Sequence, residues 1–132
     1  MTRRSHAVHN EKACDYLLKS RQFNDWVVTT AFYSALHYVR SVLFPLTING
    51  TTYNNLDNYF YVLRNKPHNN LSKHQIIIQL VNSNLKSVAS HYRWLHDSCM
   101  TTRYNDYQVS DKKAKTARKR LSQIKNHLNL ND

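Results

Sequence analysis

The chain has 132 residues, of which 41% are apolar, and this is enough for one domain with its own hydrophobic core. One glycine and two prolines are too few for a β-sandwich, a Rossmann fold or a glycine-rich phosphate loop, so composition argues against all three. Nineteen Lys and Arg against eight acidic residues give a formal charge of +11, which favours a polyanion such as nucleic acid. An acidic protein partner or a simply basic, soluble surface remains an alternative.

The cysteines and histidines show no metal-binding pattern. Cys14 and Cys99 have no CxxC partner, so the sequence predicts two reduced, packed thiols rather than a disulfide framework or a zinc site. No metal and no cofactor is expected. The uncharged, largely apolar run over residues 26–39 is shorter than the roughly 20 residues that span a bilayer, and no apolar segment follows the basic start. We therefore expect a cytoplasmic protein without membrane contact.

Apolar periodicity predicts α-helices along most of the chain. A first helix is expected from about residue 6 to residue 21, with Glu11 on its polar face. A second helix, over residues 25–44, is apolar nearly all round and is therefore expected at the centre of a bundle. Asn24 and Asp25 are predicted to cap it, and Trp26 is predicted to lie along one of its packing stripes.

The middle of the chain contains the breaks. Pro45 and residues 46–55 are predicted to end the second helix, and a short extra helix is expected over residues 56–65. After a break around Pro67, a further helix begins near Ser72. Residues 85–104 continue either as another helix or as an extension past a kink.

The last helix, expected over residues 111–128 behind a Ser110 cap, is the most basic element. Its apolar stripe is formed by Ala114, Ala117, Leu121, Ile124 and Leu128. We predict that its other faces bind nucleic-acid phosphates through Lys112, Lys113, Lys115, Arg118, Lys119 and Arg120. Tyr104 and Tyr107, just ahead of this helix, are placed to stack on unpaired bases.

Three segments together resemble the HEPN family of small helical-bundle proteins: residues 25–43, 72–75 and 91–110. The family pattern is matched by Ala31, Tyr33, Ala35, His37, Ser72, His74, Tyr92, Leu95, Arg103 and Tyr104. Cys99 and Thr102 depart from it. The resemblance implies an all-α, up-and-down bundle of four to five helices. Because the sequence shows no internal repeat, low-complexity tract or linker, we expect a single domain over residues 1–132. Members of that family are often dimeric, and many bind or cleave RNA, including toxins of toxin–antitoxin pairs. The resemblance therefore implies a homodimer and an association with RNA.

The nuclease members of that family carry an Arg followed after four to six residues by a His, near the start of the final helix. Here Arg3 or Arg4 with His9, and Arg120 with His127, have permitted spacings, but neither arrangement lies in the expected place. The sequence therefore leaves open whether the protein is an enzyme.

Metal-independent cleavage of RNA needs a proton acceptor, a proton donor and a cation on the phosphate. The candidates in this sequence are His37, Arg103, His96 and Tyr33. His37 lies one helical turn beyond Tyr33, and Arg103 lies two turns beyond His96. The competing interpretation of His37 is a hydrogen-bonded histidine in the core. The competing interpretation of His96 and Arg103 is an ordinary solvent-exposed helix face.

Three functional hypotheses follow. The first is an RNA binder or metal-independent ribonuclease, with a small antitoxin-like protein or a second copy of itself as partner. The second is an inactive protein-interaction module that uses apolar faces around Trp94 and Tyr59 to Tyr61. The third is a small-molecule or nucleotide binder that uses the bundle interior near Tyr33 and His37.

Overall fold

A computed structural model of the chain describes residues 2–67, 70–105 and 107–131. The helices are α1 (Arg3–Ser20), α2 (Asn24–Leu43), α3 (Leu56–Arg64), α4 (Lys73–Asn84), α5 (Ala89–Tyr104) and α6 (Asp111–His127). A hairpin of two short strands, β1 (Leu46–Ile48) and β2 (Thr51–Tyr53), follows α2, and a 3₁₀ turn at Lys86–Val88 leads into α5. The predicted all-α bundle is confirmed, with six helices in these ranges where the sequence predicted four or five. The predicted break near Pro67 extends over His68 and Asn69, which lie outside the described residues.

Helix α2 is the centre of the bundle, as its sequence predicted. Eleven of its twenty residues are buried, and it packs against α1, α4, α5 and α6. Ser34, Ala31 and Ala35 are fully buried, and the Ser34 hydroxyl donates to the Ala7 carbonyl at 2.8 Å, so small side chains let α1 approach closely. Even α2, like every other helix in the described ranges, lacks the length and apolarity that crossing a membrane requires.

The start of α2 differs from the prediction. Phe23 is the N-cap residue and makes no side-chain cap hydrogen bond, so capping by Asn24 and Asp25 is wrong. The Asn24 amide donates instead to the Val109 carbonyl at 3.0 Å and to Asp111 Oδ1 at 2.8 Å. These bonds tie the start of α2 to the start of α6. Trp26, predicted to pack, lies in this first turn and is 55% exposed.

The predicted starts of α4 and α6 are confirmed. The Ser72 side chain accepts from the Gln75 amide N–H, and the Gln75 side chain accepts from the Ser72 amide, which is a complete capping box. The Ser110 side chain accepts from the Lys113 amide N–H at 3.1 Å. Both helix starts are therefore determined by local hydrogen bonds that the sequence displays directly.

The hairpin between α2 and α3 was predicted only as a helix break. Leu46 pairs with Tyr53 in an antiparallel register, and Asn49 and Gly50 form the turn with φ values of 51° and 81°. A two-residue turn with positive φ at both positions is the arrangement that an Asn-Gly pair favours. The dipeptide was therefore the available signal for these strands.

Glu11 of α1 lies inside the bundle rather than on the polar face, and that part of the prediction is wrong. Its side chain accepts a hydrogen bond from the Tyr38 hydroxyl at 2.7 Å. It also pairs with Arg118 Nη2 at 2.8 Å and Lys125 Nζ at 2.9 Å. Arg118 forms a second ion pair, with Asp15 Oδ1, at 2.5 Å. A carboxylate on α1 is thus bound to one residue of α2 and two of α6.

The position of Glu11 explains both its burial and its charge. It lies one helical turn from Ala7 and from Cys14, which are both fully buried, so it shares their inward face. Burial alone would raise the pKa of Glu11, but hydrogen bonds from Tyr38 and Lys125 and the charges of Arg118 and Lys125 lower that pKa below its usual value. Glu11 therefore remains ionised in the folded protein.

We expect Glu11→Ala to lower the free energy of unfolding by about 3 kcal/mol, because it leaves Lys125 and the Tyr38 hydroxyl without their acceptor. Glu11→Gln should cost less, since one acceptor oxygen remains. Urea unfolding would measure both variants. The control is Asp57→Ala, which breaks the ion pair between Asp57 and Lys73. These two side chains are 65% and 51% exposed, respectively, so the loss should lower the free energy of unfolding by less than about 1 kcal/mol. Equal losses in Glu11→Ala and Asp57→Ala would contradict the role given to Glu11.

Candidate active site and basic surface

Helices α2, α4 and α5 bring five polar side chains together, which we call the Arg103 cluster: Tyr33, His74, His96, Asp97 and Arg103. Arg103 Nη1 donates to the Tyr33 hydroxyl oxygen at 2.6 Å. The His74 and His96 ring centroids are 5.7 Å apart, and both rings contact the buried ring of Phe32, the neighbour of Tyr33. A cation, a phenol and two imidazoles therefore share one region of the surface.

Helix geometry explains how residues far apart in sequence meet there. Arg103 lies two turns C-terminal to His96 on α5, but side chains on a helix lean toward its N-terminus. The long Arg103 side chain can thus extend back toward the turn of His96, where Tyr33 of α2 accepts its hydrogen bond. His74 reaches the same region from the first turn of α4, whose start the Ser72 capping box defines.

The two imidazoles of the cluster have different surroundings. His96 Nδ1 lies 2.9 Å from Asp97 Oδ1, and the His96 side chain is only 16% exposed. In the tautomer that donates from Nδ1 to Asp97, Nε2 of His96 is a proton acceptor. Burial, and next the charges of His96 and Arg103, lower the pKa of His74 below its usual value. His74 is consequently uncharged at neutral pH, with one N–H left to donate.

Three of the four predicted catalytic residues, Tyr33, His96 and Arg103, lie in the Arg103 cluster. His74 belongs there as well, although the sequence named it only as part of a family match. One signal in the sequence could have indicated His74. It lies in the first turn of α4, directly after the Ser72 capping box, and the cap fixes the position of that turn. No periodicity in the sequence links that turn to α5.

His37, the fourth predicted catalytic residue, faces α1 instead. Its Nδ1 lies 3.2 Å from Arg3 Nη1, and its ring stacks on His6 with centroids 5.1 Å apart. Burial, followed by the charges of Arg3, His6 and Arg40, lowers the pKa of His37 to about 4. Since Arg always donates, Nδ1 of His37 accepts, and such a low pKa makes His37 a weak base at neutral pH. Arg3 precedes His37 by 34 positions, so helical spacing could not reveal this contact.

The basic face of α6 is only partly as predicted. Lys112, Lys115 and Lys119 are exposed and follow one another at helical spacing, while Lys113 and Arg120 are half-buried. Arg118 was predicted to contact nucleic acid, but its side chain is 21% exposed and bound to the carboxylates of Glu11 and Asp15. Two carboxylates neutralise its charge, so Arg118 does not belong to the outer basic surface.

Two exposed tyrosines connect the Arg103 cluster to α6. Tyr104 and Tyr107 are each 71% exposed, and the Arg103 guanidinium lies 5.4 Å from the centre of the Tyr104 ring. Neither ring is packed in the core. Their stacking on bases stays a prediction.

The potential metal ligands are dispersed. In the part of the chain that the structure describes, no three side chains of His, Cys, Asp or Glu come together as a metal site would require. Cys14 and Cys99 are buried free thiols, as predicted, and burial raises the pKa of Cys14 to about 11.

We expect the thermal midpoint to fall as the pH drops from 7 to 5. The folded-state pKa of His37 lies below its unfolded value of 6.5, so the unfolded chain binds more protons and stability is lost as the pH falls from 6.5 toward 4. His74 and His91 shift in the same direction. In His37→Asn, where an amide oxygen can still accept from Arg3, the fall should be smaller. The exposed His9→Asn is the control and should behave like the unmodified protein; an unchanged fall in His37→Asn would contradict the assignment.

The sequence of this chain matches one family of known protein domains. The HEPN domain family matches residues 3–130, nearly the whole chain. No curated protein and no solved structure is significantly similar to this sequence. The family match agrees with the six-helix bundle and with the segments that carry the resemblance in the sequence. The chain therefore belongs to the HEPN domain family.

Proposed function

We propose that this protein binds single-stranded RNA and cleaves it without a metal ion at the Arg103 cluster. The observation that carries the proposal is the 2.6 Å contact of Arg103 with Tyr33 beside the paired rings of His74 and His96. Helix α5 contributes a cation for the phosphate and one imidazole, and α4 contributes the second imidazole for proton transfer; these are the groups that this chemistry needs. The family match supports RNA as the substrate class.

Each group in the cluster has a role in the proposed reaction. Nε2 of His96, with Nδ1 held by Asp97, takes the proton of the RNA 2′-hydroxyl as the 2′-oxygen attacks phosphorus. The bond from phosphorus to the 5′-oxygen breaks, and that oxygen takes a proton from the protonated form of His74, which is the minor form at neutral pH because the pKa of His74 is lowered. Arg103, held by Tyr33, stabilises the charge that develops on the phosphate oxygens. The products are a cyclic 2′,3′-phosphate and a free 5′-hydroxyl.

The neighbouring surface suits a strand entering this site. The Tyr104 and Tyr107 rings, both largely exposed, offer stacking platforms for unpaired bases. The exposed Lys112, Lys115 and Lys119 continue along α6 and offer cations at helical spacing for phosphates. We propose that bases are held at the tyrosines and the backbone along these lysines.

The test is incubation with end-labelled single-stranded RNA in EDTA, read on a denaturing gel. We expect His96→Ala and Arg103→Gln to reduce the cleavage rate by about 100-fold or more, because they remove the proton acceptor and the phosphate cation. The lowered pKa of His74 makes its protonated form scarce at pH 8, and this form becomes more populated as the pH falls to 6. Cleavage that depends on His74 as the acid should therefore be faster at pH 6.

Matched controls separate the cluster from general charge effects. His9→Ala and Arg64→Gln change an exposed imidazole and an exposed guanidinium elsewhere, and should leave the rate unchanged. Equal loss in the controls would indicate a general electrostatic effect. Salt-dependent binding of RNA without any cleavage would support the RNA-binding hypothesis and exclude the ribonuclease hypothesis.

The interaction hypothesis is favoured by a different surface from the one predicted. In the predicted surface, Trp94 is half-buried beneath Arg120 and the Tyr59 ring packs on Tyr53 with centroids 5.0 Å apart, which leaves Tyr61, 69% exposed, as its one largely exposed ring. Phe23, the N-cap residue of α2, and Trp26, three residues further on in its first turn, present two such rings close together in sequence, 48% and 55% exposed. We propose that these two rings contact a second copy of the chain in a homodimer.

Light scattering during size-exclusion chromatography tests this. We expect a dimer that becomes monomeric in Trp26→Ser, because the substitution removes the larger of the two exposed rings of this surface. The comparison variant is Tyr16→Ser, which removes an aromatic side chain that is 77% exposed elsewhere and should leave the dimer intact. A monomeric unmodified protein, or a dimer unaffected by Trp26→Ser, would contradict this interface.

A further inference from the structure

A second group of basic and aromatic side chains lies between α5 and α6, away from the Arg103 cluster. We call it the Arg120 cluster: His91, Trp94, Lys119, Arg120 and His127. Arg120 Nη1 lies 3.0 Å from His91 Nδ1, and its guanidinium lies 5.4 Å from the centre of the Trp94 ring. The rings of His91 and His127 stack with centroids 6.1 Å apart.

The charges of this cluster are not neutralised within the described residues. No carboxylate there forms a hydrogen bond or an ion pair with any of its four basic side chains, whereas Glu11 and Asp15 are bound to Arg118 and Lys125. Like charges close together repel, and a bound anion relieves that repulsion. The lowered pKa of His91, caused by burial and then by Arg120 and His127, agrees with this crowding.

The donors of the cluster are held in a defined orientation. Because an arginine can only donate, Nδ1 of His91 accepts, and Nε2 of neutral His91 carries the proton. The Arg120 guanidinium is held in place by this bond and by the Trp94 ring. Most of its N–H groups, which point outward in the plane of the guanidinium, therefore remain available to a ligand. A surface pocket of about 310 Å³ lies beside it, lined by His91, Thr116, Lys119, Arg120 and Gln123.

We propose that the Arg120 cluster binds a phosphomonoester, either the terminal phosphate of an RNA strand or that of a free nucleotide. A tetrahedral phosphate accepts hydrogen bonds in several directions, which suits donors that converge on one pocket. A terminal phosphate carries close to two negative charges and an internal diester carries one, so the terminal group matches Arg120 and Lys119 better. The inference rests on the proposed function only in taking RNA as the polymer.

Trp94 provides a direct readout of this site. The sequence contains two tryptophans, so in a Trp26→Phe protein the tryptophan fluorescence, excited at wavelengths that tyrosine does not absorb, comes from Trp94 alone. We expect a saturable change in this fluorescence on titration with adenosine monophosphate at up to millimolar concentration, and no change with adenosine. Absence of a saturable change with the monophosphate would overturn the proposal.

Matched variants locate the binding. In the Trp26→Phe background, Lys119→Gln should weaken binding of the monophosphate by about tenfold or more, because it removes a charged contact and leaves Arg120 on Trp94. Lys12→Gln, which changes an exposed lysine on α1 outside both clusters, should have little effect. Equal weakening in both would overturn the site in favour of diffuse attraction to a basic surface. Calorimetry on Arg120→Gln, which alters the fluorophore's surroundings, should show the same loss of affinity as Lys119→Gln or a larger one.

Two further comparisons identify the source of the phosphate and keep this site separate from cleavage. RNA with a 5′-phosphate should compete with the monophosphate better than the same RNA with a 5′-hydroxyl if strand ends are bound; equal competition would leave the free nucleotide as the ligand. Arg103→Gln should not change binding of the monophosphate. If the protein binds the monophosphate but does not cleave RNA, only the ribonuclease proposal is contradicted. If it cleaves RNA but does not bind the monophosphate, only the proposal for the Arg120 cluster is contradicted.

Discussion

The buried carboxylate of Glu11 is the interaction on which the arrangement of the helices depends most. It binds Tyr38 of α2 and Arg118 and Lys125 of α6, and so links three helices inside the bundle. A buried charge is costly unless its partners surround it, so these helices must lie where their side chains reach Glu11. Because α2 is held in this way, its opposite faces are available to α4 and α5, where the Arg103 cluster forms.

The same network divides the basic charge of α6. Arg118 and Lys125 face α1 and are neutralised by Glu11 and Asp15. Arg120, two residues after Arg118, is rotated by roughly 200° about the helix axis and meets α5 instead. Lys112, Lys115 and Lys119 remain exposed. One basic helix therefore serves as an internal clamp, as a pocket wall and as an outer surface, and net charge alone does not distinguish these uses.

Prediction from sequence succeeded where the physical signal is local. The apolar character of α2, the helix start near Ser72, the Ser110 cap and the inward stripe of α6 from Ala114 to Ile124 were all read from neighbouring residues and are confirmed. It failed where a distant partner decided the outcome. Asn24 resembles a cap but bonds to Val109 and Asp111, and Glu11 resembles a surface residue but meets cations more than a hundred positions away.

The sequence by itself determined the helical class, most helix starts, the strong positive charge and the membership in the HEPN domain family, because periodicity, caps and composition are properties of short segments. Only the tertiary structure decided which polar residues act together. It placed His74 and His96 beside Arg103, turned His37 toward Arg3 and paired Arg118 with acids. The physical reason is that hydrogen bonds and ion pairs depend on distances in space between side chains of different helices, which the spacing of residues along one helix does not encode.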